Sequence, residues 1–359
     1  MARKYSKLDN NIVVLDHKLF VDNVYSSNKF FDQSIERAVI KPELFCIDAP
    51  YRQKRCNDEF IGNQKRKKRK GTNQFDETTA KVQRNYIEYQ QLEERSKSNT
   101  IPNNTKALEL VNDFISSDSY DPETRFIGSN DSAFTVICNF FNQSYIIPPN
   151  CRFFNSNVSN IHSLLNPDEE KFDFIVMDPP WWNKYIRRAK AANQRIGYQM
   201  MDNESIKSMP LENYIHEDTI VAIWCTNSPT HEAAMKGIFL DKWKLKLLAV
   251  WFWVKVTKYG ETVCDFNDSS KKQPYEKIFI ATAAHNNKWT IPNNRFIYSV
   301  PCALHSNKPP LLDLFIDLLP NKPRCLELFA RNVYPNFTSI GIEVLKLQNT
   351  RLFEIIKVV

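Results

Sequence analysis

The residues with the clearest chemistry are Asp178-Pro179-Pro180-Trp181, which directly follow a short apolar run at 171–177. Phe172, Phe174, Ile175 and Val176 in that run predict a buried strand. Two prolines after such a strand stop its hydrogen bonding and stiffen the backbone. They also leave carbonyls that no neighbouring donor is obliged to use. An acid and a free carbonyl at a strand end can accept both protons of an amine. Trp181 beside them offers a ring on which a base can stack, worth about 1–3 kcal/mol in comparable sites. These parts suit an adenine amine, whose lone pair is delocalised into its ring. With both hydrogens held by Asp178 and the Pro179 carbonyl, the nitrogen is favoured in an sp³-like form that can take a methyl group from a sulfonium. Orientation and dipoles suffice for this, without a covalent intermediate. A base inside a duplex reaches such a site only when flipped, so a single-stranded or extruded base is implied. The alternative is a plain strand-end turn in which Trp181 and Trp182 are core residues.

Lys184, Arg187, Arg188, Lys190 and Arg195 bring five cations and no acid to the stretch 183–195 just beyond. A basic loop beside a catalytic strand end is a natural phosphate clamp, and Tyr198 is placed to stack there. A solvated loop, with Tyr198 merely packing, is the other reading. A second basic segment, Arg52 to Lys70, holds nine Lys or Arg against Asp58 and Glu59, including the unbroken run Lys65 to Lys70. Such a run repels itself and stays solvated; a nuclear localisation signal or a nucleic-acid arm both fit it.

The elements that must position Asp178 follow from the apolar pattern. Strands are predicted at 171–177, 219–225, 245–256, 277–284, 324–329 and 338–344. Ser228-Pro229 opens a helix with Ala233, Ala234, Ile238 and Phe239 on one face, and Pro310 to Leu319 is read as a second helix. Alternating strands and helices indicate an α/β domain with a mainly parallel sheet, whose ligands bind at the carboxyl ends of strands. Three regions are expected: an N-terminal folded region over 1–51, a basic polar linker with a helical connector over 52–125, and the catalytic domain over 126–359.

Composition narrows the options. The 359 residues are 42% hydrophobic and 25% charged, an ordinary globular balance. No apolar run approaches the roughly 20 residues of a membrane span, and the polar start argues against a secretory leader. Eight cysteines at long, irregular spacings form no C-x-x-C pair, which argues against a disulfide framework or a zinc ribbon, and no metal site is expected. Seven scattered glycines make neither G-x-G-x-x-G nor a phosphate loop, so any cofactor is held by other means.

The tetrapeptide is joined by Asn183-Lys184 and Arg188, by Lys271-Lys272-Gln273-Pro274-Tyr275-Glu276, by the string from Ser299 to Pro310, and by Glu327-Leu328-Phe329-Ala330-Arg331-Asn332. Together these resemble the adenosine N6-methyltransferase family of D-P-P-W type, and most closely its branch called methyltransferase-like protein four, over roughly Ile146 to Val359. The resemblance implies a Rossmann-like methyltransferase sheet in permuted order, the catalytic motif preceding the cofactor motif. It implies S-adenosyl-L-methionine as cofactor, with Asn157 and Val158 at its adenine. Lys308 would meet its carboxylate, His305 and Ser306 the same wall, and Arg331, Asn332 and Glu343 its ribose, with Asp178 shared between cofactor and amine. Asp178, Pro179, Pro180 and Trp181 would be the catalytic set. Two positions depart from the branch: Ile342 stands where it has Asn, and Asn157 where it has an acid, and both soften the cofactor site. The implied substrate is RNA, 2′-O-methyladenosine in U2-type small nuclear RNA, in the nucleus and secondarily the cytoplasm, with no obligate protein partner. DNA adenine is the alternative substrate, and a catalytically weak nucleic-acid-binding subunit is the alternative class.

Overall fold

A computed structural model describes residues 5–51, 76–93, 103–140, 142–182, 200–267 and 272–358. Its strands are β1 (Tyr5–Lys7), β2 (Ile12–Leu15), β3 (Ile35–Ile40), β4 (Phe126–Asn130), β5 (Val136–Phe140), β6 (Gln143–Ile147), β7 (Cys151–Asn155) and β8 (Phe172–Met177). They continue with β9 (Ile215–Cys225), β10 (Leu245–Lys255), β11 (Tyr275–Ala283), β12 (Phe296–Ser299), β13 (Cys325–Leu328), β14 (Phe337–Gly341) and β15 (Phe353–Lys357). The longer helices are α1 (His17–Ser26), α2 (Glu77–Leu92) and α3 (Thr105–Ser117). Eleven strands form one sheet in the order β1-β2-β12-β10-β11-β9-β8-β13-β14-β7-β4. The run β9-β8-β13-β14-β7 is parallel throughout, while β11 enters antiparallel between β9 and β10. This is the mostly parallel α/β sheet expected, with β8, the strand that runs into Asp178, ahead of β13 in the chain and beside it in the sheet.

Period-two alternation builds both layers. From the central strands Phe174, Ala222, Trp224, Trp251, Trp253, Ile278 and Cys325 go to one core. Ile175, Met177, Val221, Ile223, Phe279 and Leu326 go to the other. Both faces are therefore covered, which is why these strands read as nearly continuous apolar runs. The N-terminal region does not stand apart. Ile12, Val13 and Val14 pair with β12, and β3 pairs with β15 near the C-terminus. Phe20, Val21, Val24 and Tyr25 of α1 enter the first core.

The short apolar run at 18–21 lies within α1, whose N-cap Asp16 accepts from the Leu19 N–H. Two local expectations change. The segment 310–319 is not a continuous helix but two 3₁₀ turns, Leu312–Leu314 and Ile316–Leu318. Its apolar residues face the core all the same, since Leu311 and Phe315 are buried. The helix opened by Ser228 passes through a π turn at Met235–Phe239. The extra residue rotates its face, so Ala234, Met235, Phe239 and Leu240 are buried while Ala233 and Ile238 point outward.

Candidate active site

β8, β9, β10, β12, β13, β14 and β7 all end on the same edge of the sheet, and β11 begins there. From β8 the chain continues to β9 on one side, whereas from β13 it continues to β14 on the other. The reversal opens a crevice between the ends of β8 and β13, the position where such sheets bind ligands. Asp178 flanks it on one side and the segment Phe329–Arg331 on the other, and both line one large cleft.

The Asp178-to-Trp181 turn is held from several directions. The Trp181 N–H donates to the Pro179 carbonyl at 2.8 Å, and the Met201 N–H donates to the Pro180 carbonyl at 2.9 Å. The expectation of unclaimed carbonyls is thus corrected: the chain doubles back tightly at Pro180, and Pro179 keeps only its second lone pair for a ligand. Trp181 is 4% exposed, with its indole N–H bonded to the Trp224 carbonyl at 3.0 Å. Its ring lies parallel to Phe239 at 6.0 Å and 5.0 Å from His231. It lines the cleft as a wall fixed in the core, whereas Trp182, 38% exposed, is the more available ring. His231 holds this turn too, bonded to the Trp182 carbonyl and the Asn203 side chain, both at 3.0 Å.

The cleft gathers Asn157, Val158, Asp178, Pro179, Pro180, Trp181, His305, Ser306, Lys308, Arg331, Ile342 and Glu343, which the sequence scatters over some 190 positions. Asn157 caps the 3₁₀ turn Val158–Asn160, its side-chain oxygen accepting from the Ser159 N–H at 3.0 Å. Lys308 reaches Asp178 at 3.6 Å and is paired with Glu276. Arg331 is paired with Glu343 and donates to the His305 carbonyl at 2.7 Å. Ser306 and Phe329 both adopt left-handed backbone, with φ of 57° and 64°. For side chains of these types that is strain, and strain of this kind gathers at ligand sites. Asn332 is set aside from the cleft: it lines a smaller adjoining cavity and donates to the Tyr334 hydroxyl at 2.7 Å. Lys184, Arg187, Arg188, Arg195 and Tyr198, and the basic run Lys65 to Lys70, lie outside the described residues.

Desolvation at the strand end raises the Asp178 carboxyl above the ordinary carboxylate range, with Lys308 pulling against it. Glu327 goes further. Burial, with Asp178 as a like-charged neighbour, pushes it up to about 8, and its Oε2 is buried with no hydrogen-bond partner among the described residues. Burial also works to raise Glu343, but Arg331 and Lys346 hold it below its usual value. Sequence reasoning assigned no role to Glu276, Lys255 or Glu327. The available signal was a charged residue at the end of an otherwise apolar strand, which is seldom buried unless paired.

The donor set fits an S-adenosylmethionine-like molecule. An acid beside a lysine suits the two charges of an amino-acid end, and a buried acid clamped by an arginine suits a ribose diol. At the cleft Gly341 lets two backbone segments meet closely, since a Cβ there would stand 2.3 Å from the Ala330 carbonyl oxygen. Among the described residues no group of His, Cys, Asp and Glu is arranged to hold a metal, and no helix is long and apolar enough to cross a membrane.

The family model MT-A70 matches residues 172–343, a span from the start of β8 to Glu343. The chain belongs to the MT-A70 family. It is 34% identical over 258 residues to mouse "N(6)-adenine-specific methyltransferase METTL4", covering 69% of this chain and 53% of the relative. It is 33% identical over 219 residues to a Caenorhabditis elegans "DNA N6-methyl methyltransferase", covering 61% and 58%. It is also 33% identical over 210 residues to the "N6-methyladenosine RNA methyltransferase MTA1" of Cryphonectria parasitica, covering 57% and 61%. These matches put this MT-A70 chain on the METTL4 branch, and it spans between half and two thirds of the length of each relative named.

Proposed function

We propose that this MT-A70 protein transfers a methyl group from S-adenosylmethionine to the N6 amine of adenine in nucleic acid. RNA is the substrate put forward, with 2′-O-methyladenosine of U2-type small nuclear RNA as the target, in the nucleus. The observation that carries the reading is a desolvated Asp178 at the end of β8, 3.6 Å from Lys308, in the cleft that Arg331, Glu343 and Asn157 also line. When bound, S-adenosylmethionine supplies an electrophilic methyl on its sulfonium. Asp178 and the remaining lone pair of the Pro179 carbonyl hold the two hydrogens of the amine. That orients the nitrogen lone pair and disfavours its delocalisation. The raised proton affinity of Asp178 suits it to receive the proton the amine loses. Trp181 and Pro180 wall the base.

DNA is the second reading, since one relative carries a DNA methyltransferase name. The test incubates the full chain and S-adenosylmethionine with matched RNA and DNA oligonucleotides, with and without a 2′-O-methyl on the target adenosine. Nucleosides are then analysed by mass spectrometry. N6-methyladenosine is expected from the unmodified RNA, a larger yield of N6,2′-O-dimethyladenosine from the 2′-O-methylated RNA, and neither with Asp178→Asn. Product from DNA alone would favour the second reading, and product from neither would overturn both.

A further inference from the structure

Four charged side chains alternate along the carboxyl edge of the sheet. Asp178 follows β8, Lys308 lies on the loop after β12, Glu276 is near the start of β11, and Lys255 ends β10. Lys308 is paired with one carboxylate oxygen of Glu276, and Lys255 with the other. With Asp178 3.6 Å from Lys308, the contacts form one line, Asp178 to Lys308 to Glu276 to Lys255. All four side chains are only 16–24% exposed. The tryptophans beneath fix both ammonium groups: Lys255 sits 4.6 Å over the Trp253 ring, and Lys308 sits 5.3 Å from Trp224 and 5.9 Å from Trp253. Backbone register enforces this, because Trp253 is directly opposite Glu276 in the β10–β11 ladder.

We propose that Lys255 is a positioning residue for the cofactor site: by holding the far oxygen of Glu276, it leaves the near oxygen to fix the Lys308 ammonium in front of Asp178. The two acids and two lysines then carry no net charge, which suits an amino-acid end carrying one charge of each sign. Without Lys255 the remaining three become a cluster with an excess negative charge, and Glu276 and Asp178 compete for one ammonium. A carboxylate ligand is then repelled, and an uncompensated buried charge is left behind. Burial lowers the proton affinity of Lys255, with Glu276 opposing. Glu276 is held well below its usual range by the two lysines against its own burial. The other groups coupled to these are Glu327 on β13 beside Asp178, Cys225 at the end of β9, Lys272 ahead of β11, Cys264 after β10, and His305 and Arg331 across the cleft.

The inference rests on the reading that Lys308 meets the cofactor's carboxylate, so its test uses binding of S-adenosylhomocysteine by calorimetry on the full chain. Lys255→Met is expected to weaken that binding about tenfold, the size of one charge-assisted contact. Lys255→Arg should restore most of it. In a Lys308→Ala background the effect of Lys255→Met should vanish, because residues acting through one another are not additive. A merely structural role would instead lower melting and add to the Lys308 loss. If Lys255→Met melts early, Lys255→Gln, which keeps an amide donor to Glu276, carries the same comparison. Unchanged affinity in the lysine variants, with oligonucleotide binding and its salt dependence reduced instead, would make Lys255 a phosphate contact and overturn the proposal. If the unaltered chain failed to bind S-adenosylhomocysteine at all, the functional reading would fail, a different outcome from loss of the coupling.

Discussion

At the scale of single residues, Trp181 and Glu327 show what the sequence displayed and what it hid. The types at 178–181 announced an amine site, but which tryptophan is core depends on tertiary packing. Trp181→Ala is expected to cost about 3–5 kcal/mol, as for other large core truncations, and Trp182→Ala much less. Thermal melting of the two variants distinguishes them, and equal melting would mean the Trp181 ring is not held as described. Glu327 was legible only as part of a motif. Its titration comes from burial beside Asp178, a relation across two strands that no local pattern reveals. The carboxyl is protonated up to about 8 in the fold and ordinarily near 4.5 in the unfolded chain. Between those values the folded state binds more protons, so this group's contribution to stability falls as pH rises through that window. Glu327→Gln removes the dependence. The melting temperature of the variant relative to the parent should therefore climb between about pH 5 and pH 8 and level off beyond. A gap that stays flat across that range would place Glu327 in a more polar environment.

At the scale of elements, buried parallel strands were legible because both faces of the sheet are covered, leaving uninterrupted apolar runs. Segments whose conformation is set by their neighbours were less legible. The 310–319 segment carries a helical stripe, yet it opens on Pro309-Pro310 and is drawn into 3₁₀ turns that bury Leu311 and Phe315. The antiparallel entry of β11 was likewise hidden, since apolar runs carry no direction. Gly341 is the element-scale constraint on the site. Its backbone passes so close to the segment that follows β13 that an added Cβ would meet the Ala330 oxygen at 2.3 Å and nitrogen at 2.7 Å. The strand ends are locked there by the Ala330 N–H bonding to Ile340 at 3.0 Å. Backbone atoms cannot swing aside as a side chain can, so Gly341→Ala must part the strands. A loss of about 1–3 kcal/mol is expected, together with weaker S-adenosylhomocysteine binding, because Ile342 and Glu343 follow directly. Calorimetry and melting on the same variant test this, and parental values for both would show the strand ends to be loosely joined.

At the scale of the whole molecule, the N-terminal region belongs to the fold that makes the site. Nothing in residues 1–51 matched a motif, so its role could not be read from sequence. Its contribution is structural and non-local: β2 pairs with β12, and β12 leads into the loop that carries His305, Ser306 and Lys308. Ile12 and Val13 are fully buried and Leu15 is 4% exposed. Burying side chains of this size stabilises by about 1.5–3 kcal/mol each. Three of them therefore approach the total stability of an ordinary domain, about 5–15 kcal/mol. Removing residues 1–15 would also bare the edge of β12, a row of unpaired backbone groups that invites association with other chains. A chain beginning at Asp16 is thus expected to melt far below the full chain and to elute as aggregates by size exclusion. Any soluble fraction should bind S-adenosylhomocysteine weakly, because the loop bearing Lys308 loses its support. The milder pair Ile12→Ala and Val13→Ala should move melting in the same direction without removing the strand. A shortened chain that melts like the parent and keeps its cofactor affinity would mean that β12 holds the loop unaided and the N-terminal strands are an independent attachment.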